Sequence, residues 1–398
     1  MANADDLLGR LPAAGPTRAA NRRKVLLAVA IKSGTQADIA HRTLLSQATV
    51  SAAVRELAEA NLVPTSKERG KVCLSAVNDV GVGVHLGFNH MTVVARRLDK
   101  EFDQVTSRVS SGGVSRGWSR ALPEVKQMID EAIEGTGRRR SDVFSLGIAV
   151  PRMINPRTGG FTPPILPPWR AGDDPVKDLG TWLGVRAFID NDANLGALAE
   201  QTYGTREHAE TVVYVKASTG VGAGIIVHNS VLRGHGGMAG ELGHLTVDPH
   251  GAVCQCGGRG CLETVIGADA LIAQVRAARA ARNSVPAPET LEQVIAAAQA
   301  QDAVCMRVIL DAGRRLGQSL AQLCNLLNPD LVVIGGQLAE SPLLLEGCKE
   351  SLRRFALPGA VAEDSEFVLD LSELSTRAEA QGALILGLRG MEHGANNT

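Results

Sequence analysis

Three cysteines within one short run, Cys254, Cys256 and Cys261, constrain this chain more than any other feature. A Cys-x-Cys step followed by a glycine-rich turn lets three thiolates converge on one point. Gly257, Gly258 and Gly260 remove the side chains that so tight a loop could not place. A histidine from upstream completes a Cys3His set, the donor set that a structural Zn2+ takes in tetrahedral geometry. His244 and His250 both lie close enough in sequence to supply it. The other four cysteines are scattered in apolar contexts, so the total of 7 does not read as a secreted disulfide framework. An oxidised pair, or three buried thiols, is the alternative. Zinc binding worth roughly 10–16 kcal/mol is ample to order such a loop. With four protein ligands no coordination position stays open, which argues for a structural ion over metal-assisted hydrolysis.

With 398 residues the chain is long enough for two or three domains. Its longest apolar runs, such as Leu331-Val332-Val333-Ile334, are strand-length, so no membrane span is expected. Residues 1–10 are polar and acidic without an apolar signal core, which predicts a soluble cytoplasmic protein. Charge is uneven. Residues 1–78 hold 11 Lys/Arg against 6 Asp/Glu, whereas the whole chain carries a net −1. A basic first fifth on an acidic body suggests a nucleic-acid module fused to something else.

Residues 1–20 lack periodicity and read as a mobile tail. Residues 21–78 read as three short helices and a hairpin, the order of a winged helix-turn-helix. Val25, Leu26, Val29 and Ala30 give the first helix its apolar stripe. Thr35 and Asp38 have capping-box spacing at the start of the second, and Ser46 can cap the third. Two short strands, 62–64 and 72–74, are expected around the charged turn 66–70. In such a module the third helix lies in the major groove. Gln47, Ala48, Thr49, Ser51, Ala52 and Arg55 are then its candidate base-reading face, and Lys67, Arg69 and Lys71 in the wing meet phosphates. Arg22, Arg23 and Lys24 can do the same. A small helical accessory domain with a solvated charged turn is the alternative. Leu44 stands where such turns usually prefer glycine, and is accommodated if the turn needs no positive φ.

From residue 79 strands alternate with helices, the pattern of α/β layers in two lobes. Strands are expected at 80–86, 92–98, 102–109, 143–150, 185–189, 211–215, 222–227 and 331–334. Helices are expected at 121–133 and 194–203, across most of 264–327 and near 378–388, with a long irregular loop at 151–175. The smaller lobe then spans 79–190 and is completed by a closing helix, 376–390. The larger spans 191–375 and carries the metal loop, 244–263.

Gly240-Glu241-Leu242-Gly243-His244, followed by Cys254, Cys256, the glycine turn, Cys261, Leu262 and Glu263, resembles the signature of the ROK family. That family joins bacterial sugar kinases with sugar-responsive repressors of the xylose and N-acetylglucosamine type, and the helix-turn-helix matches the regulators. The resemblance implies an actin-like, hexokinase-like two-lobed fold with sugar bound between the lobes. It implies Asn191, Asp192, Glu241, His244 and Glu263 as sugar-contacting groups, with Asp192 in the place of the kinases' catalytic base. It also favours His244 over His250, because an imidazole holding zinc through one nitrogen can reach a hydroxyl with the other. The alternative for Asp192 is a helix cap, since it precedes the helix that follows.

Where the kinases of this family carry Asp-x-Gly-Gly-Thr-Lys after the opening strand, this chain reads His85-Leu86-Gly87-Phe88-Asn89-His90. Carboxylate, close backbone approach and cation are all lost, so Asp192 is expected to be vestigial and no nucleotide to be held. The second phosphate loop, Ser218 to Gly224, and Gly335-Gly336 survive. The family's Pro-Gly reads Pro151-Arg152 and its Pro-Asn-Leu reads Pro164-Ile165-Leu166, which opens the effector class to sugar phosphates and to smaller sugars. The expectation is a repressor that binds a palindromic operator as a dimer or tetramer, with the linker near 75–82 transmitting lobe closure. An active sugar kinase is one rival, and a zinc-dependent interaction module that binds protein partners rather than DNA is the other.

Overall fold

The computed structural model describes residues 7–11, 14–64, 70–163, 168–204, 206, 209–280, 286–361 and 367–392. The amino-terminal helices start where local chemistry puts them. α1 (Pro16–Ile31) opens on proline, whose missing N–H is not needed in a first turn. α2 (Gln36–Thr43) opens on a complete capping box. Asp38 N donates to Thr35 Oγ1 at 3.2 Å, and Thr35 N donates to Asp38 Oδ2 at 2.8 Å. α3 (Gln47–Glu59) is capped by Ser46, whose Oγ accepts from Thr49 N at 3.2 Å. Val50, Ala53, Val54 and Leu57 of α3 are buried where it packs on α1 and α2.

Four expectations for this module need correction. Residues 16–20, expected to belong to a mobile tail, form the first turn of α1. Leu44 caps α2 in the left-handed region, at φ 54° and ψ 32°, so the turn does require a positive φ. Leu62–Pro64 forms no strand: the ladder partner of Val72 is Gly34, in the turn before α2. Arg22 is buried and spent on Glu56 of α3, its Nη1 donating to Oε2 at 3.0 Å, so it is not available to phosphate. Arg18 grips the other oxygen of Glu56, Nε to Oε1, at 2.8 Å. The hydrogen bond from Arg18 is the main reason the Glu56 carboxyl sits below the usual carboxylate range.

The chain forms two compact units. One comprises 1–154, 159–195 and 379–398, and the other 155–158 with 196–378. The expected breaks at 190/191 and 375/376 lie a few residues from these, and the short exchange at 155–158 has no signal in periodicity.

In the first unit the sheet runs β3-β2-β1-β4-β5. Its strands are β1 (Val80–Leu86), β2 (Met91–Arg97), β3 (Thr106–Val109), β4 (Val143–Val150) and β5 (Ala187–Asn191). β1 and β4 are buried along their whole lengths, which is why both read as mostly apolar runs, broken only by His85 and Ser145. α4 (Trp118–Gly135) and α5 (Pro175–Leu183) pack on this sheet. α6 (Asp192–Tyr203) follows β5 directly and begins in this unit.

The second unit repeats the strand pattern as β8-β7-β6-β9-β10. Here β6 (Thr211–Ala217), β7 (Val221–Val227) and β8 (Ser230–Val231) are antiparallel, while β9 (Leu331–Gly335) and β10 (Val368–Leu371) add in parallel. Its helices are α7 (Glu263–Ile266), α8 (Ala268–Arg279), α9 (Leu291–Gln299), α10 (Ala303–Leu327), α11 (Pro342–Phe355) and α12 (Pro358–Val361). β8 and β10 had no counterpart in the sequence reading.

The closing helix α13 (Ala378–Gly390) returns to the first sheet. It lies so close that a Cβ at Gly83 of β1 would stand 2.0 Å from Ala380 O, and one at Gly147 of β4 would stand 1.7 Å from Ala383 O. Glycine is required there by contact, not by φ. No described helix is long and apolar enough to cross a membrane.

Two outcomes follow for the helical module. Leu44 is 68% exposed, so Leu44→Gly loses little packing and relieves a strain of roughly 1–2 kcal/mol. Thermal unfolding should show the module stabilised by about 0.5–1 kcal/mol after the entropic cost of glycine. Because the folded pKa of Glu56 is depressed, its contribution is present above the ordinary carboxyl pKa of about 4.3 and lost as pH falls through the lower folded value. Circular dichroism of Glu56→Gln should show a shallower loss of helix below about pH 4 than the parent.

Candidate functional site

The metal loop assembles as its spacing demands. His244 and the Sγ atoms of Cys254, Cys256 and Cys261 offer ligand atoms that all lie within 4.8 Å of one another. His244 Nδ1 is 3.6 Å from Cys254 Sγ, and Cys256 Sγ is 3.7 Å from Cys261 Sγ. A tetrahedral site with metal–sulfur bonds of about 2.3 Å and metal–nitrogen bonds of about 2.0–2.1 Å has edges of ~3.8 and ~3.6 Å. The donor set therefore fits a four-coordinate ion. His250 is exposed and lies outside the cluster. Burial raises the Cys254 thiol and pushes that of Cys261 up to about 12, while the N–H of Gly258, at 3.4 Å, pulls Cys256 down. Thiols raised in this way stay protonated at neutral pH unless a cation displaces their protons.

The loop also fixes two carboxylates. Glu241 Oε2 lies 3.6 Å from His244 Nε2, the nitrogen left over when Nδ1 faces the sulfurs. Glu263 Oε2 accepts from Val221 N at 3.0 Å. Its Oε1 accepts from Gln255 Nε2 at 3.1 Å, and Gln255 sits between two of the cysteines. Gln255 was not singled out from the sequence. Its neighbours announced it, but a lone glutamine in a loop carries no signal. All of these residues belong to the second unit.

Asn191 and Asp192 belong to the first unit, at the junction of β5 and α6. Asn191 Oδ1 accepts from Ala193 N at 3.0 Å and Asn194 N at 3.2 Å, so it caps α6. Its Nδ2 donates to Arg152 O at 3.3 Å. Asp192 is 4% exposed, and its Oδ1 accepts from Ala193 N at 2.8 Å. Its Oδ2 faces His85 Nε2 at 3.4 Å. The sequence marks His85 as the loss of a carboxylate. In the structure it is a gain as well, a buried imidazole set against the carboxylate of Asp192.

The loop after β1 is pinned through its carbonyls: Val114 N donates to Gly87 O at 3.0 Å, and Ser115 N to Phe88 O at 2.9 Å. In the second unit the β6–β7 turn meets the end of β9, with Ser218 Oγ donating to Gln337 Oε1 at 3.1 Å. The Pro164 to Leu166 segment lies outside the described residues.

On α3, Gln47, Ala48, Ser51 and Arg55 are exposed and Thr49 and Ala52 half-buried, so the six candidates share its outer face. Lys71 is exposed, whereas Lys67 and Arg69 lie outside the described residues.

The ROK family model matches residues 81–389. The chain belongs to the ROK family. It is 35% identical over 306 residues to the glucokinase of Halalkalibacterium halodurans, covering 73% of this chain and 88% of that protein. It is 28% identical over 372 residues to the DNA-binding transcriptional dual regulator NagC of Escherichia coli strain K12, covering 90% of this chain and 89% of that one. The latter coverage cannot be reached without residues ahead of position 81, so this likeness extends into the amino-terminal helices. A crystal structure of a ROK family transcriptional regulator, a homologue of the E. coli MLC protein, matches in fold with a TM-score of 0.70 at 24% identity, covering 94% of this chain and 96% of that one. The α/β fold of two units with the same strand pattern is the kinase-like ROK architecture, here preceded by three helices.

Removal of metal tests the loop. A chain stripped by a strong chelator should lose amide protection across 244–263 while β6 and β7 keep theirs. Cys256→Ser should retain only a small fraction of the parent's bound metal by atomic emission.

Proposed function

We propose that this ROK chain is a sugar-responsive, DNA-binding transcriptional regulator, acting as a repressor of carbohydrate genes. The observation that carries the reading is the helix-turn-helix of α2 and α3, capped at both starts, in a chain whose likeness to a DNA-binding regulator extends ahead of the kinase-like part. α3 presents short and hydrogen-bonding side chains with Arg55 on one face, suited to close approach in a major groove. Lys67, Arg69 and Lys71 serve as phosphate contacts. The partner is duplex operator DNA, bound by a homodimer or homotetramer whose symmetry matches a palindrome.

The effector is a monosaccharide or its phosphate. Asn191, Asp192, Glu241, His244 and Glu263 are the groups proposed to take its hydroxyls. Carboxylates and an amide satisfy vicinal hydroxyls by accepting and donating in pairs. Zn2+ is the ion that suits a Cys3His set, and it is structural: it fixes His244 and, through Gln255, Glu263.

One observation favours the kinase reading, the 35% identity with a glucokinase. Against it, a carboxylate is missing where His85 stands, and both oxygens of Asp192 are engaged, one by His85 and one by Ala193 N. We therefore take Asp192 as a sugar ligand rather than a base, with no nucleotide held.

Fluorescence anisotropy on duplexes recovered from a random-sequence pool tests the DNA reading. Affinity should fall steeply as salt rises, and Lys71→Ala should lower the slope of log K against log salt by about 1. Arg55→Ala should weaken binding by about 10-fold or more and relax sequence preference. Failure to recover any duplex, or a salt-insensitive affinity, would overturn the assignment.

A further inference from the structure

α1 has no basic residue in its last turn, so the carbonyls at its negative end need donors from elsewhere. Two arginines supply them. Arg42 on α2 donates Nη1 to Lys32 O at 2.6 Å and to Ala28 O at 3.5 Å, a contact within the helical module. Arg96 arrives from outside it, from the end of β2 in the first sheet, where it stands opposite Gly81 of β1. Its Nη2 donates to Ala30 O at 2.7 Å and Ile31 O at 3.2 Å, and its Nη1 to Lys100 O at 2.5 Å. The side chain is 2% exposed. A guanidinium keeps its charge in a protein, and burying it is costly unless acceptors surround it. The end of α1 provides those acceptors, so helix and strand each satisfy what the other leaves open.

Other contacts flank this one. Ser33 Oγ donates to Glu101 Oε1 at 2.9 Å, and Lys32 Nζ lies 5.7 Å from the centre of the Phe102 ring. Leu7 N donates to Asp79 Oδ1 at 3.1 Å. On the far side, Gln381 of α13 donates to Phe102 O at 3.5 Å. The next residue, Gly382, packs against α6 so closely that a Cβ there would stand 1.8 Å from Leu195 O. Leu195 is in the first turn of the helix that Asp192 opens.

We propose that Arg96 is the positioning residue that makes α1, α2 and α3 ride on the sensor sheet as one body. A change at Asp192 then reaches the DNA-reading helix through α13, the β1–β2 pair and Arg96, rather than through residues 75–79, the part of the connecting chain that precedes β1. The transmission rests on the regulator reading; the clamp does not.

The test uses the full-length, zinc-loaded chain with Arg96→Met, which keeps the bulk, and Arg96→Lys, which keeps the charge but not the fork. Hydrogen exchange should show 16–43 opening about ten-fold faster or more in Arg96→Met, with α4 and β6 at parent protection. Glucose, xylose and N-acetylglucosamine are the calorimetric probes. Whichever binds the parent should bind Arg96→Met within about two-fold, while its effect on affinity for a pool-selected duplex drops to near one-fold. Arg96→Lys should fall between. Parent-level protection of 16–43, or a parent-sized sugar response, in Arg96→Met overturns the proposal. If Arg96→Met loses protection throughout the chain, the same comparison in Arg96→Lys decides. If the parent selects no duplex, the regulator reading has failed and the exchange result alone judges the clamp.

Discussion

Much of the first unit depends on the pairing of β1 with its neighbours. β1 is buried along its full length between antiparallel β2 and parallel β4. Its Gly83 admits the backbone of α13, and its His85 meets Asp192. Gly81 stands opposite Arg96. A strand buried on both faces has almost no freedom of register, because a slip of one residue would drive side chains into α13 or turn His85 away from the carboxylate. The His85–Asp192 contact at one end and the helical module at the other are thereby fixed to the same short element.

The second unit solves a different problem. Glu241 caps a single 3-10 turn and Glu263 opens the four-residue α7, so no sheet or long helix sets their positions. The metal loop supplies the missing rigidity, His244 standing beside one carboxylate and Gln255 holding the other. Burial raises two of these thiols, so any cation bound there must displace their protons. The two units thus order their polar groups by different means, one by strand packing and one by a loop whose Cys3His cluster can hold a metal ion.

What was legible in the sequence was mostly local. The capping box at Thr35 and Asp38, the cap at Ser46 and the apolar runs of β1 and β4 need only nearby residues, and they fall where expected. The three thiols were readable because spacing brings them together, whereas His244 was preferred to His250 on the family resemblance. The misses are long-range or strained. Val72 pairs with Gly34 across the module, where proximity in sequence suggested 62–64. Leu44 takes a left-handed conformation that its residue type disfavours. β10 is a short run beside acidic residues, recognisable only through its pairing with β9. His85 read as a deletion of function, because nothing in the sequence says that Asp192 lies 3.4 Å from it. Arg96 looked like any basic residue near a strand end, since its acceptors lie 65 and 66 residues away.

The most direct test of the account is whether the chain binds sugar without transferring phosphate to it. Calorimetry and a coupled ATP-consumption assay on the zinc-loaded chain, run over one panel of hexoses, pentoses and their phosphates, measure both at once. The account predicts saturable binding of at least one sugar with no ATP turnover above background. Turnover at about 1–100 per second, the range of working kinases, would contradict it.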